Sequence, residues 1–338
     1  MTSLLNQSVE DRVADSGRRF LDILDQPLYA TLVDLQDLIS YETAQFWRAR
    51  SVKALHLPAT TGSISSPMGL GSDSLPVRID LFGVPTYLAD SMQFMLEYGC
   101  RLAGKGCYYV MPSFRGEQAD TTHLSQFFHS EAEFPGGLDE AIAVADAYVR
   151  HLAHAVLEHL SAGVASVAGG IGHIEDFLGS RTARMTFDEA VAALDADPDC
   201  FEAHDGWRTI TRVGEQKLIA RYGPTVWLTH YDQLSVPFYQ AVDSSGGKAL
   251  NADLLLGIGE VVGCGERHTR AEAVRAALRG HNVPERDYQW YVDMKQHRPL
   301  HTSGFGMGVE RLLMWVLRRS DIRELQLVER YNGQITAP

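Results

Sequence analysis

The sequence predicts an α+β protein built on a largely antiparallel sheet of six to seven strands flanked by helices. Two observations predict it. Strand-like runs at 77–88, 107–114, 126–134, 225–229, 238–242, 249–255 and 260–264 are set off by short turns, with helical patterns grouped around them. The glycine pairs Gly257/Gly259 and Gly304/Gly306 also fail to open a strand–helix–strand unit followed by an acidic residue about 20 positions on, which argues against a doubly wound dinucleotide fold.

The elements follow in order. Residues 1–27 read as a helical arm, and 31–50 as a longer helix with Leu32, Leu35, Leu38, Ile39 and Phe46 at helical spacing. A Ser/Gly/Pro-rich loop, Thr60 to Leu75, has the composition of a mobile or ligand-gated segment. Leu138 to Leu160 forms a helix with Ala, Val and Leu on one face. Residues 163–215 mix helix and loop around an acidic stretch, Asp188 to Asp199. A helix at Arg270–Arg279 precedes the closing run Gly304-Phe305-Gly306-Met307-Gly308-Val309-Glu310-Arg311, which enters an apolar helix through Leu312, Leu313 and Trp315.

The 338 residues can bury a large core, and 45% hydrophobic content is that of an ordinary globular chain. No apolar run approaches the roughly 18 residues of a membrane span. The first fifteen residues lack the basic and apolar regions of a secretory signal, and the four cysteines are scattered, so a cytoplasmic chain with reduced thiols is expected. The net charge of −13 lowers the expectation of a polynucleotide partner, whose phosphates call for a basic face. It does not count against ATP, which a few placed arginines can hold.

Three constellations carry chemistry. In Phe114–Glu133, Arg115 suits a phosphate or carboxylate, Glu117 can accept from an adenine amino group, Phe127 can stack on a base, and Glu131 and Glu133 share one strand face. In the second, Asp253 and Glu260 flank a turn and offer oxygen ligands to Mg²⁺, and Arg267 follows among small residues. In the third, a strand end leads into a helix carrying Ser91, Gln93 and Glu97. Arg311 adds a permanent charge at the end of the glycine run.

The ordered set FRGE…HLSQFFHSEAE, GEVVGCGER and GFGMGVERLLMW resembles the catalytic domain of class II aminoacyl-tRNA synthetases, in the aspartyl/asparaginyl branch. The resemblance runs from about Leu55 to Gly333 and is weakest over 163–215. It divides the chain into a helical arm with a dimer-interface helix (1–54) and a synthetase-like catalytic domain (55–338), with Lys53 to Pro58 matching the motif that builds the family's dimer. About fifty residues precede the catalytic motifs and read as helix, so no anticodon-binding barrel is expected. On that ground the chain is similar to stand-alone asparagine synthetase-related enzymes of archaea.

The resemblance implies an ATP-dependent, AMP-forming ligase with ATP as substrate and Mg²⁺ as cofactor. It implies that Arg115 holds the α-phosphate and the amino-acid carboxylate, that Glu117 and Phe127 hold adenine, and that Arg311, with His123, holds the γ-phosphate. Asp253 and Glu260 would hold Mg²⁺; Ser91, Gln93 and Glu131 would surround the α-amino group; Arg267 would meet the side-chain oxygen. Leu96 stands where aspartyl members carry a lysine, and Glu97 matches the asparaginyl glutamate that accepts from the substrate amide. The leading expectation is a homodimer that adenylates aspartate or a close relative and transfers it to ammonia or a small amine, with tRNA not expected as a partner. Adenylation of asparagine, for tRNA or another acceptor, and a non-catalytic sensor of amino acid or nucleotide are the alternatives.

Overall fold

The computed structural model describes residues 19–65, 75–194 and 197–330. Most of the N-terminal arm and all but the ends of the Thr60–Leu75 loop lie outside them.

Eight strands form the central sheet: β1 (Lys53–Ala54), β5 (Cys107–Phe114), β6 (Gln126–Pro135), β13 (Thr302–Gly308), β12 (Glu260–Glu266), β11 (Asn251–Leu256), β10 (Thr225–Thr229) and β7 (Ala183–Thr186), in that spatial order. The inner pairings are all antiparallel, whereas β1 and β7 join the edges in parallel. The fold class is as expected, but the sheet has eight strands rather than six or seven. Both edge strands are too short to show alternation.

Two expected strands fall elsewhere. Residues 77–88 form a separate hairpin, β3 (Val77–Leu81) and β4 (Val84–Leu88), with β2 (Thr60–Thr61) beside it. Its turn uses Phe82 and Gly83, both at positive φ, as a two-residue hairpin turn of primed type requires. The stretch 238–242 makes only isolated bridges, Gln240 with Arg267 and Val242 with Ala249. Pro237 has no N–H for a ladder, and the Gln240 side chain is turned onto the sheet beside Gly265.

Helices cover one face. The helix Arg19–Asp22 (α1) is followed by α2 (Pro27–Ala49), which starts at a proline, where the missing N–H costs nothing. Leu32, Leu35, Ile39, Phe46 and Trp47 of α2 are buried. They pack on α4 (Leu138–His159): Phe46 lies 5.1 Å from Tyr148, whose hydroxyl meets Thr43 Oγ1 at 2.6 Å. Trp47 stacks on Tyr108 of β5 and Phe305 of β13 packs 5.9 Å away, so one core joins helices and sheet. The helix α3 (Gln93–Ala103) follows β4 and packs on β5 and β6.

Within residues 163–215 the first two helices pack on α2 and α4, and the rest folds onto the far edge of the sheet. The segment holds most of α5 (Ser161–Ala168), then α6 (Gly172–Gly179), β7, α7 (Phe187–Ala193), the hairpin of β8 (Phe201–His204) with β9 (Trp207–Ile210), and the start of α8 (Arg212–Tyr222). A capping box starts α7, with Thr186 Oγ1 accepting from the Glu189 amide and Glu189 Oε2 from the Thr186 amide. Ala190, Cys200 and Leu218 pack with Val226, Leu228 and Leu255 of the sheet in one apolar cluster. Two further helices, α9 (Ala271–Gly280) and α10 (Gln289–His297), pack against each other beyond β12, and α11 (Val309–Val316) leaves β13. Among the described residues no helix is long and apolar enough to cross a membrane.

Candidate active site

The glycine run explains where the site lies. It is a strand, β13, not a phosphate loop. Its neighbour β12 places Gly263 opposite Gly306 and Gly265 opposite Gly304, so four glycines form a bare patch in mid-sheet. Side chains of adjoining elements occupy the space. A Cβ on Gly304 would lie 2.1 Å from Glu133 Oε2, and one on Gly306 would lie 2.9 Å from Glu131 Oε1. A Cβ on Gly265 would strike Gln240 Oε1 at 1.7 Å. Glu131 and Glu133, two apart on β6, therefore reach over β13 only because β13 lacks side chains there.

The cleft over this patch has two connected parts. The larger, about 370 Å³, is walled in part by Ser91, Gln93, Glu131, Asp253 and Arg267. The smaller, about 100 Å³, includes His123, Phe127 and Arg311. Arg115, His129, Glu260 and Gly306 line both.

At the larger end, Glu131 accepts from Ser91 Oγ at 2.6 Å and from the Tyr109 hydroxyl. Burial pushes its carboxyl up to about 7 against the pull of these two hydrogen bonds. A substrate ammonium would supply the missing positive charge. Gln93, half-buried beside the Tyr239 hydroxyl, lines the same part of the cleft.

Arg267 is held from two sides. Its Nη2 and Nε donate to Glu133 at 3.1–3.3 Å, and Nη1 donates to Gln240 Oε1 at 3.0 Å. Burial works against its charge, but Glu133 and Tyr239 outweigh it and hold the guanidinium above its ordinary range.

Asp253 and Glu260 converge, since a Cβ on Gly263 would lie 3.5 Å from one carboxylate and 3.3 Å from the other. Burial and then Glu260 push the Asp253 carboxyl well above its usual range. Glu215 of α8 lies on the same wall and is raised to about 7, by burial and then by Glu260. Such a concentration of negative charge fits a hard cation with oxygen ligands. Among the described residues no group of three or more His, Cys, Asp or Glu is arranged to hold a metal ion unaided. A cation here would share Asp253 and Glu260 with ligand oxygens.

At the smaller end, Arg311 Nη1 donates to the Glu260 carbonyl at 2.8 Å. Its Nη2 lies 3.4 Å from His123 Nε2, and Asp120 faces the other ring nitrogen at 3.2 Å. This network assigns the Nδ1–H tautomer, leaving Nε2 to accept from the arginine. Arg115 sits 5.2 Å over the Phe127 ring with its Nε buried and unpartnered. Strand β5 ends at Phe114, so Arg115 and Glu117 lie in the following loop rather than alternating on a strand.

Two expected contacts are not on the cleft wall. Glu117 is off it, with Oε2 buried and unpartnered. Glu97 is fully buried beneath, bound to Tyr291 and Lys295. Glu266, neighbour of Arg267, points away, accepting from the Leu138 amide that starts α4 and pairing with His301.

Four polar residues are among the lining residues that sequence reading missed. His129 alternates with Phe127 and Glu131 on β6, a legible signal; burial, then Arg115 and Arg311, lower its ring to about 3, so it is neutral. Gln240, Tyr239 and Glu215 come from segments whose place only the fold reveals.

Residues 15–330 match the family model of tRNA synthetases class II (D, K and N). The chain belongs to this family. Its members are ATP-dependent ligases that form aminoacyl-adenylates. Among curated relatives, the asparagine–tRNA ligase of Syntrophobacter fumaroxidans is 27% identical over 315 residues, covering 86% of this chain and 67% of the relative. That of Legionella pneumophila (strain Corby) is 30% identical over 256 residues, covering 73% and 55%. The chain spans between 55% and 69% of the curated relatives it matches. Among solved structures, asparaginyl-tRNA synthetase from Pyrococcus horikoshii, complexed with asparaginyl-adenylate, superposes with a TM-score of 0.87 at 21% identity, covering 98% of this chain and 74% of that one. The Entamoeba histolytica enzyme gives 0.84 at 20% identity, with 98% and 73% covered.

These relatives overturn one expectation. The expectation of no tRNA partner rested on net charge and on the expected absence of an anticodon-binding barrel, whereas the curated relatives named above are tRNA ligases. Charge summed over a whole chain does not describe the surface that meets a nucleic acid. Transfer to ammonia or an amine in place of tRNA likewise finds no support among them.

Proposed function

We propose that this synthetase-family chain adenylates asparagine with ATP and passes the asparaginyl group to tRNA, the acceptor in its relatives' names. The observation that carries the reading is the position of Arg115. It lines both parts of one cleft, between an ammonium seat at Glu131 and a polyphosphate seat at Arg311. An amino-acid carboxylate and an α-phosphate can both reach it.

The chemistry needs no covalent protein nucleophile. A carboxylate oxygen attacks the α-phosphorus in line, the bond to the leaving pyrophosphate breaks, and the acyl-adenylate remains. Arg115 offsets charge at the α-phosphate, and Arg311, held in place by His123, at the γ-phosphate. Phe127, on the wall of the smaller part, stacks on adenine. Asp253 and Glu260 would hold Mg²⁺, which would offset the pyrophosphate charge. Glu131 and Ser91 take the α-ammonium, with Gln93 beside them.

Asparagine is favoured over aspartate because the charge of Arg267 is already balanced by Glu133. A neutral carbonyl oxygen can take a remaining N–H, whereas a carboxylate would enter without a free counter-charge. The expected homodimer would form along the β1 edge, beside a groove lined by Ser40, Leu55, Leu57 and Met111.

Pyrophosphate exchange into ATP tests the reading. Asparagine should support exchange better than aspartate, and Arg115→Ala should abolish it. Exchange with neither amino acid, or an active Arg115→Ala, would defeat the assignment. Incubation with tRNA and with ammonia then tests the acceptor: asparaginyl-tRNA is expected, and amide formation alone would exclude tRNA.

A further inference from the structure

Beneath the amino-acid end of the cleft lie two buried ion pairs drawn from four elements. Arg267, just past β12, pairs with Glu133 of β6. Lys295 of α10 pairs with Glu97 of α3, and neither side chain is exposed to solvent. The Tyr291 hydroxyl donates to the other Glu97 oxygen at 2.6 Å. Glu97 acts electrostatically on both Glu133 and Arg267, so the pairs form one group. Within the two pairs, two cations and two carboxylates sum to zero; the buried Arg101 beside Lys295 adds one positive charge and Glu131, facing Arg267, one negative charge, so the wider group also sums to zero. Arg101, next on α3, donates instead to the backbone carbonyls of Glu97 and Arg298, at 2.7 and 2.8 Å.

A glutamate held this way does not face the substrate. It sets the charge beneath the pocket, and Lys295 sets the charge of the glutamate. Burial makes such a balance consequential, because an uncompensated charge there acts on whatever enters next. We propose that Lys295 is a specificity-positioning residue: by pairing with Glu97 beneath the Glu133–Arg267 pair, it keeps the pocket electrically balanced and so selects a neutral side-chain amide over a carboxylate. This rests on the asparagine-adenylating reading above.

The test is a charge-sign experiment by pyrophosphate exchange, reading the asparagine-to-aspartate ratio of kcat/KM. Glu97→Gln leaves the charge of Lys295 unbalanced, and the ratio should move toward aspartate by about tenfold. Lys295→Met leaves Glu97 unbalanced and should move it away from aspartate. The double variant should return to within about threefold of the parent ratio. A merely structural role would lower melting temperature and both activities together, without opposite signs. Should Lys295→Met fail to fold, Glu97→Gln and the double variant still carry the sign test. An unmoved ratio in Glu97→Gln, or single variants that move the same way, would overturn the proposal while leaving the adenylation reading intact. A parent protein active on neither amino acid would defeat that reading and this one with it.

Discussion

Replacing Gly304 and Gly306 separately by alanine should give two different failures. At Gly304 the new Cβ would sit 2.1 Å from Glu133 Oε2 and 2.4 Å from the Ala132 carbonyl oxygen. Carbon–oxygen contact needs about 3.3 Å, so Glu133 must retreat by roughly 1 Å. That separates it from Arg267, whose donors lie at 3.1–3.3 Å, and leaves a buried guanidinium unpaired. Breaking such a pair costs about 3–5 kcal/mol and overpacking about 1–3, offset by about 0.5–1 from removing a glycine. A net loss of about 3–7.5 kcal/mol should lower Tm by roughly 4–11 °C in a chain of 338 residues. At Gly306 the Cβ would meet only the flexible end of Glu131, at 2.9 Å. Gly306→Ala should therefore cost about 1 kcal/mol of stability. Its tilted Glu131 should raise KM for asparagine about tenfold, equivalent to about 1.4 kcal/mol, with KM for ATP little changed. Calorimetry and pyrophosphate exchange read both variants. A Gly304→Ala protein that melts with the parent would refute the claim that these glycines make room for carboxylates.

Three further outcomes follow from the site. Glu131, raised to about 7, is largely protonated in the free protein at lower pH, but must be ionised to hold an ammonium. Asparagine affinity should thus plateau above pH 7 and fall about tenfold per unit below it, a dependence that Glu131→Gln should remove; a flat parent profile would count against the ammonium seat. Asp253 has its folded pKa raised, so its contribution to stability is lost as pH rises, and Asp253→Asn should raise Tm at neutral pH while abolishing Mg²⁺-dependent exchange. Full exchange in that variant would remove Asp253 from the metal site. Arg311→Ala should raise KM for ATP by at least about tenfold, and His123→Ala by a few-fold, because the half-exposed histidine supports the arginine. Equal effects would show that His123 contacts ATP on its own.

The legible parts of the sequence were those where residues act through local spacing. β5 alternates in part, and β6, buried on both faces over Ser130–Phe134, carries Phe127, Glu131 and the overlooked His129 at period two. Arg115, Asp253, Glu260 and Arg311 sit in short runs whose chemistry is plain, and the cleft brings them together. β13 was harder, because glycine is a poor strand former and a glycine run near an arginine resembles a phosphate loop. It is a strand because Glu131 and Glu133 must pass over it, a demand set by residues more than a hundred positions away. The same holds for Lys295. One lysine in a polar helix carries no signal, and its meaning comes from Glu97, which α3 brings beneath the pocket. Glu97 itself was legible as a residue and misread in place, since spacing reveals which side chains share an element but not what the next layer puts against them. The motif residues that line the cleft can therefore be read from this sequence, whereas the charge balance behind them, on which the proposed preference for asparagine over aspartate rests, is a property of the packing.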